Sequence, residues 1–77
     1  MIKVRVTRGI ADEYAKRGRF PVITGPGDFI VSIEDAEEML ADAEWYGGPD
    51  GPDEVESWLP RIYRQHAARI RAAKETK

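Results

Sequence analysis

Seventy-seven residues, 42% apolar and 34% charged with a formal net charge of −2, are enough for one hydrophobic core and too apolar for a disordered tail. Residues 1–77 are therefore read as a single domain, whose short chain buries only about 60% of its unfolded surface and holds on the order of 4 to 11 kcal/mol of stability. With no cysteine there is neither a disulfide framework nor a thiolate metal site, no stretch reaches the roughly 18 apolar residues of a membrane span, and MIKVRVTRG lacks a signal peptide's apolar middle, so the expectation is a cytoplasmic protein without membrane association.

The first element alternates strictly, Ile2, Val4 and Val6 against Lys3, Arg5 and Thr7, which predicts a half-buried strand. A short helix over 10–17 follows. Ile10 with Tyr14 and Ala11 with Ala15 share one face, Asp12 with Lys16 and Glu13 with Arg17 stand four apart with opposite charge, and Gly18 is placed to stop it in a left-handed cap. Phe20 to Thr24 and Phe29 to Ser32 are rich in β-branched and aromatic residues, with Gly25-Pro26-Gly27-Asp28 between them. That spacing predicts a hairpin, with Pro21 at an edge because it cannot donate to a ladder.

Ser32 followed by Asp35 is a variant capping box, and it opens a helix from Ile33 to Tyr46 that stops at Gly47-Gly48. On its wheel Ile33, Ala36, Met39, Leu40, Ala43 and Tyr46 share one side, and Glu34, Asp35, Glu38 and Asp42 lie opposite. Pro49-Asp50-Gly51-Pro52 reads as a turn, and Asp53 to Glu56 as a short helical turn. A last helix runs from Trp58 to about Lys74 with Ser57 as N-cap, where Pro60 falls in the tolerant first turn. Its apolar stripe holds Leu59, Ile62, Tyr63, His66, Ile70 and Ala73, and Arg61, Arg64 and Arg71 cluster on the far side. The expected fold is α+β: a small three-stranded, at least partly antiparallel sheet packed by two main helices plus one short helix, in the order β-α-β-β-α-α.

Charge is segregated along the chain. Residues 1–25 carry a net of +4, residues 26–57 carry eleven acidic side chains and no Lys or Arg, and residues 58–77 carry a net of +5. One explanation is internal, with an acidic and a basic helix complementing each other along their flanks, each exposed pair contributing about 0 to 1 kcal/mol. The other is that the central helix presents one sign of charge to a basic partner, which raises association rate and selectivity. Trp45 falls on the wheel between Glu34 and Glu38. It either folds under the Gly-Pro turn or Trp58, or anchors a partner beside the acids.

Catalytic groups are scarce. His66, the one histidine, sits on an apolar stripe, as a core histidine does. One histidine without cysteine is a poor start for zinc, and Asp50, Asp53, Glu54 and Glu56 do not have EF-hand spacing. Gly25-Pro26-Gly27 lies between predicted strands and lacks the helix N-terminus of a phosphate cradle. Ser32 and Ser57 read as caps.

The functional expectation is a small non-enzymatic protein-binding module, without cofactor or metal, that meets a basic protein surface through Glu34, Glu38, Asp42 and Trp45. Compact acidic proteins of this kind fit the roles of inhibitor, adaptor or mimic of nucleic-acid charge. Eight Arg against four Lys, with frequent Ala, Gly and Asp, suit a GC-rich bacterial or phage genome. The alternative is a nucleic-acid-binding protein using the basic C-terminal helix, through Arg61, Arg64 and Arg71.

Overall fold

Three aliphatic side chains on one face of a strand need a partner surface, and the alternation of Ile2, Val4 and Val6 finds it in the middle of the chain. In the computed structural model, which describes residues 1–49, 51 and 58–75, β1 (Ile2–Val6) pairs antiparallel with β2 (Gly27–Val31). Ile2 stands opposite Val31, Val4 opposite Phe29 and Arg5 opposite Asp28. The inner face of this ladder buries Val4, Val6 and Val31. On the outer face Asp28 lies 3.1 Å from Arg5 and 3.9 Å from Lys3, so one carboxylate helps to fix the register.

Three helices complete the described residues: α1 (Arg8–Arg17), α2 (Ile33–Gly47) and α3 (Leu59–Glu75). The class is α+β as expected, but the sheet has two strands, not three, and the order is β-α-β-α-α. The third strand expected over 20–24 does not form. Phe20 takes a positive φ of 50°, and the Ile23 N–H donates to the Phe20 carbonyl at 2.9 Å, closing a turn with Pro21 at its second position. Phe20 and Ile23 are both buried while Val22 is exposed, a spacing of three that no strand face can satisfy. The segment plugs the core, with the Phe20 ring edge-on to Tyr14 at 4.8 Å. The positive φ costs on the order of 1 to 3 kcal/mol, which the burial of one aromatic side chain offsets. The hairpin expected between 20–24 and 29–32 is thus replaced by pairing of β2 with β1.

Gly18 caps α1 at φ 66°, its N–H reaching the Ala15 carbonyl, as its position predicts. α2 opens at Ser32, whose Oγ accepts from the Asp35 N–H at 3.1 Å. Of its expected stripe, Ala36, Met39 and Ala43 are buried and Leu40 and Tyr46 partly so, but Ile33 in the first turn is exposed. α2 and α3 approach closely at Gly47, where a Cβ would stand 2.8 Å from Arg64 Cγ and 3.0 Å from its backbone nitrogen. α3 buries Leu59, Tyr63, His66, Ala67 and Ile70 against the sheet and α2. The expected turn at Asp53 to Glu56, the Ser57 cap and the acidic group of Asp50, Asp53, Glu54 and Glu56 lie outside the described residues. No helix among the described residues is long and apolar enough to cross a membrane.

Candidate functional site

The two flanks of α2 differ in what faces them. Asp42 and Tyr46 are four apart and share a side of the helix, so Asp42 is carried to the margin of the core. There it meets Arg17, from the last turn of α1. The guanidinium donates from two nitrogens to both carboxylate oxygens at 2.8 Å and to the Tyr63 hydroxyl at 2.9 Å. It also lies 4.5 Å from the centre of the Tyr46 ring, which stacks on Tyr63 at 4.8 Å. Only 20% of the Arg17 side chain and 9% of the Asp42 side chain reach solvent. The Asp42 hydrogen bonds raise the Arg17 pKa further above its ordinary value, and burial pushes the Tyr63 hydroxyl up to about 12. Asp42 is therefore corrected from a partner-facing acid to half of an internal pair. Arg17 likewise pairs with Asp42 and not with Glu13, which holds Lys16 at 3.4 Å.

The outer face of α2 is different. Glu34, Glu38 and Trp45 are exposed, the indole by 50%. Exposed Glu37, one turn from Glu34, widens the acidic face and was legible as its near neighbour on the wheel. No ion pair reaches Glu34, Glu37 or Glu38 among the described residues. Trp45 rests edge-on against Tyr46 at 4.8 Å while half its surface stays in water. A shallow depression of about 350 Å³ lies beside it, lined by Arg19, Glu38, Ala41, Asp42 and Trp45.

The basic residues of α3 do not make a free cluster. Arg61 is exposed, but Arg64 donates to the Gly47 carbonyl at 3.1 Å and Arg71 is bound to Glu44 of α2. Two of the three arginines of the alternative site are thus turned onto α2. His66 is wholly buried, and its Nε2 shares a hydrogen bond of 2.8 Å with the Tyr14 hydroxyl. Its Nδ1 has no partner among the described residues. Burial, aided by the charge of Arg69 and opposed by that of Asp42, lowers its pKa to about 4, so the ring is neutral near pH 7. Burial likewise raises the Tyr14 hydroxyl well above its ordinary value. This pair has no exposed surface for a substrate, and no group of three or more metal-ligating side chains occurs among the described residues. No protein family, curated protein or solved structure matches the chain.

Proposed function

We propose that this protein is a non-enzymatic binding module that meets a basic protein surface through the outer face of α2, with Glu34, Glu37 and Glu38 supplying charge and Trp45 the anchor. The observation that carries the reading is the half-exposed Trp45, in edge-on contact with Tyr46 and sharing a shallow depression with Glu38, which makes no ion pair among the described residues. An exposed aromatic side chain beside charge is a typical binding anchor, because it buries a large area on association at the cost of few rotatable bonds. The surrounding charge steers encounter with a basic partner.

Nucleic-acid binding through Arg61, Arg64 and Arg71 is the weaker reading, because Arg64 and Arg71 are engaged by α2. The test is affinity capture from a bacterial lysate with three baits: wild type, Glu34→Lys/Glu38→Lys and Trp45→Ala. A partner retained by wild type and lost by both variants supports the site. A partner held equally by all three baits removes it.

A further inference from the structure

A basic face does exist, but on the other side of α3 from Arg64. Lys3 and Arg5 alternate onto the outer face of β1, with 67% and 69% of their side chains in solvent. Arg69 stands across from them on the C-terminal half of α3. An open cleft of about 550 Å³ at this edge of the molecule is lined by Lys3, Arg5, Asp28 and Arg69 together with aliphatic groups that include Ile2 and Ala73. Its lining thus holds three cations and one carboxylate. Asp28 already touches Arg5 through Nε and Lys3 at the edge of ion-pair distance, and Arg69 has no ion pair among the described residues.

Guanidinium forks match oxyanions, and two of them with an ammonium supply more donors than one carboxylate can accept. A tetrahedral phosphate, with more oxygens spread in three directions, fits that donor set better. The lining has no aromatic side chain, so nucleic-acid bases find nothing to stack on, and the eleven acids of residues 26–57 oppose a long polyanion. We infer that this cleft binds a small ligand bearing a phosphate group on an aliphatic body, with the phosphate held by Lys3, Arg5 and Arg69 and the body laid over Ile2 and Ala73.

The site is independent of the α2 face, and its test needs no knowledge of the protein partner. Full-length ¹⁵N-labelled protein is titrated with hexyl phosphate, inorganic phosphate, hexanoate and a short oligothymidylate. Saturable shifts at the amides of Lys3, Arg5, Asp28 and Ala73 are expected, with hexyl phosphate the tightest of the four. Arg69→Gln and Lys3→Gln, each checked for native circular dichroism, should weaken hexyl phosphate by about tenfold, the equivalent of one charge-assisted contact. Asp28→Asn removes the competing carboxylate and should tighten it by about threefold. The inference is overturned if no saturable shift occurs at the cleft, if the folded Arg69→Gln protein binds like wild type, or if Asp28→Asn does not tighten binding. Tighter binding of the oligothymidylate than of hexyl phosphate overturns it in favour of a nucleic-acid site.

Discussion

Glu38 and Asp42 stand one turn apart on the same helix with the same charge, and their surroundings are opposite. Asp42 is 9% exposed and gripped by Arg17, whereas Glu38 is exposed with no ion pair among the described residues. The difference comes from outside the helix. The left-handed Gly18 ends α1 so that its last arginine reaches one flank of α2, while Arg64 and Arg71 reach the other through Gly47 and Glu44. Between these two zones of internal pairing the outer face is left to solvent. An acid on α2 is thus drawn into the fold or left to solvent according to whether a cation from a neighbouring helix meets it.

Breaking the inner flank should have the largest effect. Asp42→Ala leaves Arg17 held among Tyr14, Tyr46 and Tyr63 without its carboxylate, and for a part-buried pair the loss falls between that of an exposed and that of a buried one, about 1 to 3 kcal/mol. Urea unfolding should show a fall of that size, whereas Glu38→Ala should move the midpoint by less than about 0.5 kcal/mol. Equal losses in the two variants would erase the distinction between the flanks.

Acid sharpens the comparison on the inner side. His66 titrates near 6.5 in the unfolded chain and about 4 in the folded one, so between those values the unfolded state binds more protons. Stability is full above about pH 6.5 and is lost as pH falls towards 4, by up to about 3 kcal/mol if this group acts alone. Subtracting the pH profile of His66→Gln from that of wild type should isolate this slope from the carboxylates. Asp42→Asn, which removes a charge that favours the protonated ring, should move the wild-type midpoint lower. A pH profile unchanged by His66→Gln would mean the ring is not held neutral by burial. Smaller still, Ser32→Ala should cost about 1 kcal/mol through loss of the bond to the Asp35 N–H, measured by thermal unfolding.

Helices were the legible part of this chain. The Ser32 cap, the Gly18 stop and the stripe Ala36, Met39 and Ala43 are local signals, and each stands where its spacing puts it. Strand pairing was not legible, because Phe20 to Thr24 has strand-like composition while its fate depends on a contact with Tyr14. The buried residues there, Phe20 and Ile23, lie three apart and not two, and Pro21 carried the warning. Site residues divided the same way. The wheel turns Glu34 and Glu38 to solvent, where they stand, and leaves Trp45 open between packing and exposure, but it also puts Asp42 outside, since nothing within α2 records that Arg17 arrives from α1. The same limit explains the α3 arginines, whose far side is far only from the core and not from α2.

The most direct measurement of the account is the association rate of Glu34→Lys/Glu38→Lys with the captured partner, by surface plasmon resonance at low and high salt. If the outer face of α2 is the binding surface, the variant associates at least about tenfold more slowly than wild type at low salt. The gap narrows as salt screens the field, and the unfolding midpoint stays at the wild-type value. Wild-type association kinetics in a folded variant at both salt concentrations would contradict the account.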